Sequence, residues 1–196
     1  FTADHLVSAV PSHVAAGLFD TSVPELSAEL AQIPYSSSII VVAGYRKSML
    51  GHALDGFGFL VPRKERRLVA AATWVNTKFP ERVAEGIAVV RAFLVDSDAE
   101  QLMAAGDSEI LAVAQREFTR LMGIETEPEF YRIHRWPNSM PQYCVGHGAR
   151  YRRIIEILKD YPQLSLIGNA FDGVGIPDAV RLAKSAVDRY FIAGKQ

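Results

Sequence analysis

The sequence predicts an α+β chain, a mostly antiparallel mixed sheet with helices, flanked on both sides by β/α pieces of an incomplete parallel domain. Three observations predict it. β-Branched residues crowd positions 39–42, 68–74 and 87–94, which marks the middle of the chain as strand-rich. Apolar residues recur at helical spacing between Asp107 and Gly123, so one helix is inserted among those strands. At either end a short apolar strand feeds a helix, and such pieces need neighbours from a parallel sheet.

Residues 6–10 read as a buried strand, after which Pro11 opens a helix over 12–19 whose spacing runs through Val14 and Leu18. Residues 24–32 form a second short helix. Strands follow from Ser37, with 56–61 ending at Pro62 and the charged run Arg63-Lys64-Glu65-Arg66-Arg67 as a solvated connection. Asp107 reads as the N-cap of the inserted helix and Gly123 as its stop. Residues 130–133 are a strand and 149–158 a helix with Tyr151, Ile154, Ile155 and Leu158 on one side. Residues 164–167 are a strand, and 177–191 the last helix, with Val180, Ala183, Val187 and Tyr190 on one stripe. The divisions expected are 1–36 and 136–196 as parts of one domain, and 37–135 as another.

Composition excludes several classes of function. A formal net charge of −1 gives no basic footprint for nucleic acid. The single cysteine, Cys144, forms no internal disulfide and reads as a buried small residue in a reducing compartment, and no Cys/His cluster offers a metal site. No run approaches the roughly 20 apolar residues that span a bilayer. A cytoplasmic location follows, with peripheral contact between the Arg63–Arg67 cluster and the inner face of the cell membrane left open. Phe1 in place of Met, running straight into residues 6–10, is expected of an excised piece of a longer protein.

The densest chemical signal is Gly168-Asn169-Ala170-Phe171-Asp172-Gly173-Val174-Gly175-Ile176-Pro177-Asp178. A strand delivers the chain to three glycines, and Pro at the first helical position starts a helix whose unpaired N–H groups hold an anion or the electron-rich edge of a ring. The alternative is a tight strand-to-helix turn that binds nothing.

That segment, taken with Trp136…Met140-Pro141-Gln142-Tyr143…Gly146-His147 upstream, resembles the C-terminal flavin-binding signature of the protoporphyrinogen and coproporphyrinogen oxidases. Ala3-Asp4-His5-Leu6-Val7-Ser8-Ala9-Val10-Pro11, Gly56–Pro62 and Phe79-Pro80-Glu81-Arg82 match the same family in order, so the resemblance covers the whole chain. It implies a monoamine-oxidase-like scaffold with FAD as electron acceptor, a porphyrinogen as substrate and oxygen as the final oxidant. It also implies that residues 1–36 and 136–196 belong to an FAD-binding domain and 37–135 to a substrate domain. The Gly-x-Gly-x-x-Gly segment for the ADP half would come from a missing N-terminal half, since none occurs here. A homodimer stays open.

Carried over by the resemblance, Trp136 contacts the flavin, Val174, Gly175 and Ile176 lie under the isoalloxazine, and Gly168 and Asn169 pass the ribityl and pyrophosphate region. Leu60, Thr73 and Phe93 line the tetrapyrrole pocket, with Thr73 departing from an often aliphatic pattern. No residue takes a catalytic label, because the chemistry rests on the flavin. His134 and His147 read as structural.

Strand alternation adds Arg91. Ile87, Val89, Arg91 and Phe93 share a face, which puts a guanidinium for a propionate beside a ring for a flat macrocycle. The alternative is an Arg whose stem lies over the sheet with its head in water. Two other functions remain open: an amine oxidase or desaturase relative, which usually carries Gly-Glu where Gly168-Asn169 stands, and a cofactor-free tetrapyrrole-binding module.

Overall fold

The structure, a computed structural model, describes residues 2–192, so Phe1 lies outside the described residues. The described chain divides into two compact units, one formed by 2–35 with 140–192 and the other by 36–139.

The second unit is a five-stranded sheet, in the order β3-β4-β5-β2-β6, covered on one face by helices. Its strands are β2 (Tyr35–Arg46), β3 (Gly58–Leu60), β4 (Ala71–Trp74), β5 (Ile87–Val95) and β6 (Phe130–Pro141). β3, β4, β5 and β2 pair antiparallel in turn. Strict alternation sends Ile39, Val41, Ala43 and Tyr45 of β2 and Val90, Ala92 and Leu94 of β5 to one face, where all are fully buried. They pack on α5 (Asp107–Met122) through Ile110, Ala114 and Phe118, and the Tyr45 hydroxyl donates to Gln115 Oε1 at 2.7 Å.

Several expectations change here. Gly106, not Asp107, caps α5, and the Asp107 carboxylate instead accepts from Arg135 at 2.7 Å. Gly123 ends α5 in the left-handed region, as expected. Two helices escaped the sequence reading: α3 (Val75–Lys78) and α4 (Asp96–Leu102). The cluster 63–67 is not wholly solvated, because Arg66, 14% exposed at its side chain, lies 3.6 Å from Asp96 and 3.4 Å from Asp98.

The first unit has a small parallel sheet, β1 (Leu6–Ser8) beside β7 (Leu164–Leu166), with Leu6 opposite Leu164 and Ser8 opposite Leu166. Helices α1 (Ser12–Phe19), α2 (Pro24–Ala31) and α6 (His147–Leu158) build its core around Phe19, Leu26, Leu30, Ile154 and Phe171. The helix α7 (Ile176–Val187) continues as a wider turn, Asp188–Ile192.

Four face assignments reverse in this unit. In α1 it is Ala15, Ala16 and Phe19 that are buried, while Val14 and Leu18 are exposed. Ile154 is buried but Ile155 is exposed. Along α7, Val180 and Val187 are exposed and Ala186 is the buried residue. Cys144 is exposed rather than buried. For α1 and α7 the physical reason is shared: apolar spacing marks a face that wants a partner, and these faces have none within the unit. In α6 the stripe of Tyr151, Ile154 and Leu158 does pack on the core and Ile155 falls beside it, while Cys144 lies in the loop before α6.

Candidate functional site: a glycine-rich turn and an open sheet face

At the carboxyl ends of parallel strands, loops and helix N-termini gather, and ligands of open α/β sheets bind there. In the first unit that end carries the β1–α1 turn and the turn after β7, joined by the Ile167 N–H donating to Ser8 O at 2.9 Å. Gly168 (φ 125°) and Gly173 (φ 106°) both take backbone conformations that disfavour side chains. At Gly173 a Cβ would also run into the Asp178 side chain.

Pro177 is the second residue of α7, not the first, with Ile176 preceding it. The helix entrance is partly satisfied internally. Asp178 Oδ2 accepts from the Gly175 N–H at 3.3 Å, and Arg181 ties Asp172 (3.0 Å) to Asp178 (3.3 Å). Gly175 therefore does not present a bare donor, which corrects the expectation of a fully open helix end. Val174 and Ile176 stand clear of packing, at 55% and 82% exposure.

The turn is braced from behind by Tyr143 and His147, two residues of the upstream motif. The Tyr143 hydroxyl donates to Asn169 O at 2.8 Å and accepts from the Gly173 N–H at 3.0 Å. Burial holds this phenol above its usual pKa range, so it keeps the proton it donates. Its ring stacks on His147 at 3.9 Å, and His147 Nε2 donates to Phe171 O at 3.0 Å, a structural role as expected. Ser8 and Ser12 carry buried hydroxyls without a protein partner among the described residues. The exposed Val174 and Ile176, the positive-φ glycines and the orphaned Ser8 hydroxyl at a strand carboxyl end fit a flat, hydrogen-bonding cofactor.

In the second unit, register places the expected substrate residues together. Leu60 lies opposite Ala71, Ala71 opposite Phe93, and Thr73 opposite Arg91. Directly opposed residues share a face, so Leu60, Thr73, Arg91 and Phe93 all lie on the side away from the α5 core. Arg91 Nε donates to Thr73 Oγ1 at 3.3 Å, and its guanidinium sits 5.1 Å from the Phe93 ring centroid. The hydroxyl that departs from the aliphatic pattern thus orients Arg91.

β6 contributes to this face as well. The Phe130 ring covers the position where Gly44 would carry a Cβ, which puts Phe130 on the Arg91 side. Alternation then sends Arg132, His134 and Trp136 to that side, while Ile133 packs on the α5 core and Arg135 donates to Ala105 O at 2.6 Å. Near Trp136, Asn138 takes a φ of 45° and its N–H donates to Ser37 Oγ at 3.1 Å. Trp136 belongs to this unit, whereas Gly168, Asn169 and residues 174–176 belong to the other.

The profile of the flavin-containing amine oxidoreductases matches residues 1–189. The chain belongs to that family. It is 32% identical over 186 residues to a coproporphyrinogen III oxidase of Bacillus subtilis, covering 94% of this chain and 39% of the relative. It is 28% identical over 194 residues to a protoporphyrinogen oxidase of Bos taurus, covering 95% of this chain and 40% of the relative. Among solved structures, a chain from Exiguobacterium sp. 255-15, provisionally named a protoporphyrinogen oxidase, superposes with a TM-score of 0.79 at 27% identity, covering 99% of this chain and 42% of that one. The chain thus spans about two fifths of the length of the proteins it matches. Among the described residues no helix is long and apolar enough to cross a membrane, and no cluster of His, Cys, Asp and Glu is arranged to hold a metal ion.

Proposed function

We propose that this chain is the carboxyl-terminal part of an FAD-dependent oxidase that converts coproporphyrinogen III or protoporphyrinogen IX to the porphyrin, with oxygen as final acceptor, in haem biosynthesis. One observation carries the substrate side of the reading: Leu60, Thr73, Arg91 and Phe93 share one face of the sheet, with the Arg91 guanidinium beside the Phe93 ring. A planar tetrapyrrole bearing propionates calls for that pairing of ring and cation. Arg91 would hold a propionate, Phe93 would stack on the macrocycle, and Leu60, 83% exposed at the sheet edge, would close one side.

On the cofactor side, Gly168 and Asn169 would pass the ribityl and pyrophosphate groups, and Val174, Gly175 and Ile176 would support the ring system. When bound, FAD would supply the two-electron acceptor that none of these side chains provides. Tyr143 and His147 keep the turn in shape through the Asn169, Gly173 and Phe171 backbone groups. The exposed stripe of α7 and the short β1/β7 pair would be covered by the polypeptide that relatives carry outside the matched segment. The reading includes a cytoplasmic protein in which residues 63–67 at most graze a membrane, since Arg66 is already engaged by Asp96 and Asp98.

The full-length protein should oxidise a porphyrinogen to its fluorescent porphyrin. Arg91→Ala should raise KM about tenfold with flavin content unchanged, the effect of one charge-assisted hydrogen bond. Unaltered KM would reject the propionate role, and a colourless protein that binds porphyrin without oxidising porphyrinogen would favour a cofactor-free binding module.

A further inference from the structure

We propose that Arg132 is a second carboxylate-binding group on the face that carries Arg91, and that it biases the site toward a porphyrinogen with four carboxylates over one with two; this rests on the porphyrinogen reading above. Three observations lead there. First, Phe130 against Gly44 fixes which way β6 faces, and Arg132 shares that side with Arg91, two strands away across β2. Strands sit about 4.8 Å apart, so the two arginines are about 10 Å apart laterally. Carboxylates on different pyrrole rings of one macrocycle reach across such a gap.

Second, the neighbouring Arg46 and Arg135 are each paired with a carboxylate and these two are not. Arg135, on the opposite side of β6, is held by Asp107 at 2.7 Å, and Arg46 is held by Glu129 at 2.7 Å. Arg132 donates one N–H to the Tyr131 carbonyl at 2.8 Å, and Arg91 donates to Thr73. Neither has a carboxylate partner among the described residues, and each keeps further donors of its guanidinium fork. Third, the face is electrostatically one-sided. None of the positions that share it on β2 to β6 is Asp or Glu, and Glu129 just before β6 is neutralised by Arg46. A positive face on a chain of net charge −1 is complementary to an anion of high valence.

The test uses the full-length flavoprotein and two probes, coproporphyrinogen III and protoporphyrinogen IX. Arg132→Gln should raise KM for the four-carboxylate substrate about tenfold while changing that for the two-carboxylate substrate by less than about twofold. Binding of the product porphyrins, followed by fluorescence, should shift in the same ratio, and Arg132→Lys should restore most of the preference. An unchanged ratio in Arg132→Gln would overturn the assignment. If the wild-type protein binds and oxidises neither porphyrinogen, the functional reading itself fails, which is a distinguishable result.

Discussion

The two units of this chain are built to different degrees of completion. In the sheet unit, every apolar position on the helix-covered face finds a partner, and Ile39, Val41, Tyr45, Val90, Leu94, Ile110 and Phe118 are fully buried. In the other unit the sheet has two strands, and Leu18, Ile176 and Val180 stand 64%, 82% and 63% exposed. The difference teaches that a well-formed apolar stripe is not a measure of local stability. It records where a surface is meant to be covered, and only the sheet unit contains its own cover.

The comparison can be broken or sharpened by substitution, beginning with the largest effect. Phe118→Ala should cost about 3–5 kcal/mol in denaturant unfolding monitored at the sheet unit, because it empties a closed core. A loss below about 1 kcal/mol would mean the core is looser than its burial implies. Gly173→Ala should cost about 1–3 kcal/mol locally, through positive φ and collision with Asp178, and should lower the flavin content of the full-length protein while leaving the sheet unit's transition in place.

The smallest effect concerns Glu29, whose carboxylate accepts from Arg153 at 2.7 Å and joins α2 to α6. The Arg153 hydrogen bond holds its pKa below the usual carboxylate value. A folded pKa below the unfolded one stabilises at pH above the unfolded value, and that contribution disappears as pH falls through the folded value. Glu29→Gln should therefore lower stability by no more than about 1 kcal/mol at neutral pH, and wild type and variant should converge in acid.

Much of the sheet unit was legible in the sequence because one face of each strand is buried, and alternation there writes the register into the residue order. The same alternation placed Arg91 beside Phe93, and the structure adds Thr73 as the acceptor that orients the guanidinium. α3 and α4 were not legible, since Asn76 and Asp96 give weak helical propensity and both helices follow directly on strands. Arg132 was passed over because its side of β6 is set by a long-range contact, Phe130 on Gly44, 86 residues apart in sequence. Asp107 was taken for a cap because the residue type suits one, yet a distant arginine claims its carboxylate. The exposed faces of α1 and α7 were read as core for the reason given above, that spacing reports amphipathicity and not the presence of a partner.

The central claim, that these two units belong to a flavoenzyme oxidising a porphyrinogen, is tested most directly by mixing the full-length protein with coproporphyrinogen III in the absence of oxygen. The account predicts a flavin absorbance that bleaches on mixing and returns when oxygen is admitted. A protein whose flavin stays oxidised in the presence of substrate, or that carries no flavin at all, would contradict it.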